Sequence, residues 1–173
     1  MGVRAHAEEA LGVVWFRGER VMSAEVLVEQ LGILGVLIAG ATPWLEAVVV
    51  IPIAIALGLP PVWSALAAVA GNALTIVLFA LGSEKVLARI EARRVRRGRG
   101  GEPNARIERA KKIFARYGDV GMAVLGPWVI GTQFAAALAV SLGVSVVRAS
   151  VVQVLGAAIW GVATGATAWA IVG

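Results

Sequence analysis

The chain has 173 residues, of which 59% are hydrophobic and only 16% are charged, and its mean hydropathy is +0.83. This composition excludes a soluble globular domain and predicts an all-α integral membrane protein. The chain contains no cysteine and a single histidine, His6, which excludes thiolate and multi-histidine metal sites. The net charge of +5 comes from basic residues beside apolar segments, which favours contacts with lipid headgroups over nucleic acid.

The first residues carry mixed charge without a recognisable motif, so we interpret residues 1–25 as an N-terminal extension. The apolar part of the chain begins directly after them. We predict that residues 26–82 form a first membrane unit, with a helical hairpin at residues 31–58 and a transmembrane helix at residues 62–81. The twenty uncharged residues of 62–81 are long enough to cross a bilayer once.

The segment 31–58 is apolar almost throughout but has the wrong length for ordinary membrane helices. One helix of its 28 residues would be about 42 Å long, whereas the hydrocarbon core of a bilayer is about 30 Å thick. The segment is also too short for two crossings. It therefore predicts a re-entrant hairpin, which turns back inside the membrane.

The turn of this hairpin is predicted at residues 40–43, where a glycine and a proline interrupt the apolar run. Thr42 can cap the returning helix, and Pro43 suits the first position of that helix, where no backbone hydrogen bond is lost. Glu46 then lies in the first turn of the returning helix, inside the membrane.

Two polar side chains in these apolar segments each have two interpretations. Glu46 either carries a coupling proton, because apolar surroundings disfavour its charged form, or only stabilises the start of its own helix. We favour the proton role, since acids inside a membrane are costly and usually functional. Asn72 lies in the middle of 62–81 beside Gly71. It either faces a substrate cavity or bonds to a neighbouring helix that the glycine allows to approach.

Residues 83–117 form the long polar stretch of the chain and contain 12 Lys or Arg against four Glu. Apolar residues recur at helical spacing in 84–97 and in 105–117, which predicts two amphipathic helices at the membrane surface. The excess of positive charge places this basic linker in the cytoplasm. The alternative is a sensor of nucleic acid or of anionic lipid, and we favour the topological role.

The second half of the membrane region repeats the first. Glycines at positions 32, 35 and 40 recur at positions 118, 121 and 126, and Pro43-Trp44 recurs as Pro127-Trp128. We predict that residues 118–173 form a second unit, with a hairpin at 118–143 and a transmembrane helix at 146–172. Because each unit crosses the membrane once, the two units would form inverted repeats.

Inverted repeats with broken helices are typical of transporters, in which two helix ends meet near the middle of the bilayer. The returning helices are predicted to begin at Pro43 and Pro127. Their free N–H groups and positive dipole ends would attract an anion or a phosphate. The predicted binding residues are Thr42, Pro43, Glu46, Asn72, Pro127, Thr132 and Gln133.

Two sets of residues resemble the motifs of a known family. The first set is Glu46, Ile51-Pro52, Gly58, Pro60 and Gly71-Asn72. The second set is Arg116-Tyr117-Gly118, Pro127 and Gly131-Thr132. Both resemble motifs of the small multidrug export proteins, and the layout is similar to that of the wider DedA-like (VTT-domain) membrane proteins. That resemblance implies proton-dependent movement of polyprenyl-phosphate or phospholipid carriers across a bacterial membrane.

The chain departs from these patterns in two places. Glu46 is followed by Ala47-Val48-Val49, where the family usually has Leu-Arg-Gly. DedA-like proteins often carry an arginine in the second hairpin, and none lies between Asp119 and Val147. The resemblance therefore implies that helix ends, Thr132 and Gln133 bind a substrate phosphate. We interpret Asp119 as a residue of the membrane boundary, with proton access as the alternative.

We therefore expect a multi-pass transporter of the bacterial inner membrane, driven by protons or by the membrane potential. Its substrate would be an amphiphilic anion such as a lipid phosphate, or a drug-like compound. The alternative is a non-transporting scaffold that holds envelope enzymes through the basic linker. An enzyme is not expected, because no nucleophile–base pair or metal cluster is evident. Expected partners are anionic headgroups, the substrate, protons and a second copy in a homodimer, without nucleic acid or cofactor.

Overall fold

The computed structural model describes residues 24–98 and 104–172, and this part of the chain is helical without β-strands. The predicted N-terminal extension lies outside the described residues as far as residue 23, as do residues 99–103 of the basic linker. The helices described are α1 (Ala24–Leu31), α2 (Ile33–Gly40), α3 (Glu46–Ala56), α4 (Pro61–Leu81), α5 (Ser83–Arg96), α6 (Ala105–Val129), α7 (Thr132–Ser141) and α8 (Val146–Val172).

Two of these helices, α4 and α8, have the length and composition needed to cross a membrane. They comprise 21 and 27 residues, and the predicted segments 62–81 and 146–172 lie within them. The shorter apolar helices α3 and α7 have 11 and 10 residues, too few to span about 30 Å of hydrocarbon at 1.5 Å per residue. The prediction of an all-helical fold is confirmed for the described residues, and α4 and α8 are candidate membrane spans.

The first break in the apolar region differs in detail from the prediction. The returning helix α3 begins at Glu46, not at Pro43, because Trp44 adopts a φ of 79° that a right-handed helix cannot include. The expected cap by Thr42 is also wrong. Its hydroxyl donates backwards to the Ile38 carbonyl oxygen at 2.9 Å, and Leu45 provides no side-chain cap for α3.

The second break also lies later than predicted. Pro127 lies inside the last turn of α6, where the proline interrupts only one bond near the helix end, and it does not begin the returning helix. The chain leaves the helix at Ile130 and Gly131, whose N–H groups both donate to the Gly126 carbonyl oxygen at 3.0 and 2.9 Å. Gly131 has a φ of 89°, which ends the helical path, and α7 begins at Thr132.

The helix α6 contains a sharp bend where the basic linker meets the second predicted unit. Gly118 lies at the bend with φ 65° and ψ −160°, a conformation that residues with a side chain rarely adopt. Before the bend the helix starts at Asn104, whose side-chain oxygen accepts from the N–H groups of Arg106 and Ile107. Ala110 before the bend and Met122 after it belong to the same buried apolar cluster, together with Leu138 of α7.

The helices pack closely because glycines lie where their backbones meet. A Cβ on Gly71 of α4 would overlap the Leu37 carbonyl oxygen of α2. A Cβ on Gly156 of α8 would lie 2.7 Å from the Ala123 carbonyl oxygen of α6. The glycine of the Gly71-Asn72 pair therefore allows close helix packing, as the second interpretation of Asn72 requires.

The basic linker gives a prediction about topology. Ala92 is exposed on α5, and Leu57 is exposed in the turn beyond the opposite end of α4. If the linker is cytoplasmic, an Ala92→Cys variant in intact cells should resist a membrane-impermeant thiol reagent, whereas Leu57→Cys should react. The natural chain has no cysteine to interfere. Rapid labelling at position 92 with protection at position 57 would reverse the orientation.

Candidate functional site

The first residues of the two returning helices meet in the centre of the protein. The Thr132 N–H, at the start of α7, donates to Glu46 Oε1, at the start of α3, at 2.6 Å. Glu46 is 3% exposed and Thr132 is fully buried. The N–H groups of a helix's first turn have no partner within the helix and favour an anion. The Glu46 carboxylate therefore occupies the anion position at the start of α7.

Asn72, in the middle of α4, joins the same cluster. Its Oδ1 accepts a hydrogen bond from Gln133 Nε2 at 2.8 Å and lies 3.4 Å from the Thr132 hydroxyl, which donates to it. Asn72 and Gln133 are both fully buried. The second interpretation of position 72, an amide bonded to a neighbouring helix, thus describes the contact that the structure contains. Glu46, Asn72, Thr132 and Gln133 are called the central polar cluster below.

The central polar cluster has unused hydrogen-bonding capacity. Asn72 Nδ2, a donor, and Gln133 Oε1, an acceptor, have no partner among the described residues. A buried polar atom without a partner costs free energy, on the order of 1–3 kcal/mol, so such atoms need an explanation. One donor and one acceptor beside a carboxylate are suited to bind water or a polar substrate group.

Gly131 makes the contact between the two helix ends possible. A Cβ at this position would lie 2.7 Å from Glu46 Oε1 and 3.7 Å from Gln133 Oε1. The backbone there also has a positive φ of 89°. Both the space and the conformation therefore require glycine.

Replacing Gly131 by alanine should move the Glu46 carboxylate away from the Thr132 N–H and lower any Glu46-dependent transport by about tenfold, the effect of losing roughly 1.4 kcal/mol. Gly143→Ala is the matched control, since Gly143 has a similar φ of 96° but no atom within 4 Å of its Cβ position. Transport rates of the two variants in vesicles check this. An equal loss in both would show that backbone strain, not the Glu46 contact, is responsible.

Three of the residues predicted for the site lie apart from this cluster. Thr42 and Pro43 lie in the turn before α3, where the Thr42 hydroxyl bonds to the preceding helix. Pro127 lies in α6 and lines a cavity together with Trp44 and Gly131. These residues shape the two breaks, and they make no hydrogen bond to the cluster in the described structure.

An ion pair between Asp119 and Arg148 was missed by the sequence reasoning. Arg148 Nε and Nη2 donate to the two carboxylate oxygens of Asp119 at 2.6 and 3.1 Å, a bidentate pair that ties α6 to α8. The hydrogen bonds from Arg148 hold the pKa of Asp119 below its ordinary value. A signal was present, because Asp119 and Arg148 are the two charged residues of segment 118–173. Asp119 thus ties α6 to α8 directly after the bend at Gly118.

Comparison with known protein families identifies this part of the chain. A family model whose description reads "Putative small multi-drug export protein" matches residues 46–163, which is more than half of the chain. The match begins at Glu46 and includes the whole central polar cluster. No curated protein and no solved structure matches the chain. Among the described residues, no group of three or more His, Cys, Asp or Glu could hold a metal ion.

Proposed function

Because the chain belongs to the small multi-drug export protein family, we propose that it is a small transporter of the bacterial inner membrane. It moves an amphiphilic anion, such as a lipid-phosphate carrier, or a drug-like compound, and uses protons or the membrane potential. The observation that carries this proposal is the Glu46 carboxylate at the start of α7, buried beside unpartnered amide atoms of Asn72 and Gln133.

The proposal includes two inverted repeats, formed by α2, α3 and α4 and by the apolar half of α6, α7 and α8. Contacts between the helices support two repeats. Most helix pairs that pack together correspond to a second pair, obtained when each helix is replaced by its equivalent in the other unit. Thus α3 packs against α8 and α7 packs against α4, while α2 packs against α4 and α6 against α8. Such exchange is expected when two similar units surround a shared centre.

The mechanism that we propose is an exchange between a proton and a carboxylate contact. The Thr132 N–H can serve either Glu46 or an anionic substrate group, since both require the same helix end. A proton that binds to the Glu46 carboxylate removes its charge and weakens its bond to Thr132. The start of α7 then becomes available to the substrate anion, with Asn72 Nδ2 as an additional donor. Loss of the proton restores the Glu46 contact and expels the anion.

The exposed side chains of the proposed transporter indicate what it contacts in the membrane. Large apolar side chains on α4 and α8 are exposed in the single chain, which suits contact with lipid or with a second copy. A homodimer and contacts between anionic headgroups and the basic linker remain part of this proposal.

The test uses purified protein in liposomes that enclose a pH-sensitive dye. Adding dodecyl phosphate or a drug-like amphiphile to one side should start proton movement only when the protein is present. A protonophore should remove the pH signal without stopping substrate movement that follows its own gradient. If neither class of amphiphile moves faster than in protein-free liposomes, the transporter proposal fails and the scaffold alternative gains support.

A further inference from the structure

A cavity of about 300 Å³ lies between the basic linker and the tips of the two hairpins. One wall is apolar and includes Leu87, Ile90, Phe134 and Leu138. The other wall carries arginines from the end of α5 and the start of α6, namely Arg93, Arg94, Arg97 and Arg106. The cavity thus offers an apolar surface and a concentration of positive charge to the same ligand.

A second cavity of about 440 Å³ adjoins the first, since Trp44, Arg106 and Ile130 line both. It adds Arg109 and reaches Gly131 at the tip of the second hairpin. The Arg106 guanidinium lies 5.8 Å above the Trp44 ring, which holds it at the boundary of the two spaces. Together the two cavities are called the basic vestibule.

Among the described residues, few carboxylates compensate the positive charge of the basic vestibule. Of the nearby carboxylates described, Glu91 lies 3.6 Å from Arg94, and Glu108 bonds to Lys111 at 3.0 Å. In the described part of the chain, no carboxylate pairs with Arg97, Arg106 or Arg109. Several guanidinium groups around one space favour a multivalent anion, because each can donate two parallel hydrogen bonds to a phosphate.

The basic vestibule lies beside the central polar cluster. Gly131 forms part of its wall, and the Cβ position of Gly131 is 2.7 Å from Glu46 Oε1. Trp44 precedes Glu46 by two residues and packs on Phe134, with ring centroids 5.2 Å apart. A ligand in the vestibule therefore lies next to the start of α7, where the Glu46 carboxylate accepts from the Thr132 N–H.

We propose that the basic vestibule is a binding site for the phosphate group of an amphiphile, with the apolar chain of that amphiphile against α5 and α7. Arg97 and Arg106 bind the phosphate, and Leu87, Ile90 and Leu138 contact the chain. In this role the basic linker helps to select the substrate, in addition to setting the orientation of the protein in the membrane. The step from this site to transport rests on the proposed function, whereas binding itself does not.

Binding of dodecyl phosphate to the full-length protein in zwitterionic nanodiscs tests the proposal. The double variant Arg97→Gln with Arg106→Gln should lower the affinity by about tenfold or more, because two charge-assisted contacts are lost. The matched control replaces Arg89 and Lys112 by glutamine. These residues lie on the same two helices, and neither lines the vestibule, although the net charge changes equally. The control should change the affinity less than about twofold.

Three comparisons decide the result. Equal losses in the two double variants would show that general surface charge attracts the amphiphile, and would overturn the proposal. Inorganic phosphate should bind much more weakly than dodecyl phosphate, and equal affinities would show that the apolar wall takes no part. Arg97→Lys with Arg106→Lys keeps the charge but loses the bidentate geometry, so it should fold and bind with intermediate affinity.

The liposome assay separates this proposal from the transporter proposal. If dodecyl phosphate binds in the vestibule but the protein moves neither dodecyl phosphate nor the drug-like amphiphile, the binding site stands and the transporter is refuted. Transport and binding that are both unchanged in the Arg97→Gln, Arg106→Gln variant would refute the vestibule alone.

Discussion

Glu46→Gln is expected to reduce proton-coupled transport to the level of protein-free vesicles while the protein still folds and inserts. Glutamine has nearly the size of glutamate, and its side-chain oxygen can still accept from the Thr132 N–H. The glutamine side chain can neither bind nor release a proton. The proposed exchange between a proton and the carboxylate contact at the start of α7 therefore stops. Transport by wild type and variant should be compared from mildly acidic to mildly alkaline pH. The wild type should depend on pH, and the residual activity of the variant should not.

Two further variants make this test specific. Glu46→Asp keeps a carboxylate with a shorter reach, so it should retain partial activity with a shifted pH optimum. Glu84→Gln neutralises an exposed acid in the first turn of α5 and should transport like the wild type. If Glu46 only stabilised its own helix, its neutralisation would cost about 0.3–1 kcal/mol of stability and leave transport nearly intact. A wild-type rate and pH profile in Glu46→Gln would refute the proton role.

Gly71→Ala is expected to cause a large loss of stability from a single methyl group. The added Cβ would overlap the Leu37 carbonyl oxygen and lie 2.9 Å from the Ala41 nitrogen. Both are backbone atoms, so relief requires α2 and α4 to move apart. Overpacking of this kind costs about 1–3 kcal/mol, and more where the backbone cannot yield. The midpoint of thermal unfolding in detergent, followed by size-exclusion chromatography of a fluorescent fusion, measures this loss.

The same change should also reach the central polar cluster. Asn72 follows Gly71 directly, so a displaced α4 would lengthen the 2.8 Å bond between Gln133 and Asn72. Variant protein that survives purification should therefore transport slowly. Ala70→Val is the control, because Ala70 is exposed on the same helix and gains two methyl groups without a neighbour to displace. A Gly71→Ala protein as stable as Ala70→Val would show that the helices tolerate a wider separation.

The helices and their breaks could be predicted from sequence because their causes are local. An apolar run of at least 18 residues without charge predicts a membrane span wherever it occurs, and α4 and α8 contain the predicted segments. Glu46 was found in the same way, as an acid in an apolar segment, and so was the break that precedes it. Where the returning helices begin was predicted wrongly, because the positive φ angles of Trp44 and Gly131 are set by packing and not by residue type alone.

Composition, apolar segments and motifs are enough to predict a helical membrane protein of the small multidrug export family, with an acid at a helix break. The packing of the helices sets which groups share a space. It brings Glu46 to the Thr132 N–H, 86 residues away, Asn72 to Gln133, and Asp119 to Arg148. It also places arginines of the basic linker around one cavity with Trp44 and Phe134. The physical reason is that hydropathy and helix length are properties of one segment, whereas a hydrogen bond between distant residues depends on how all the helices pack.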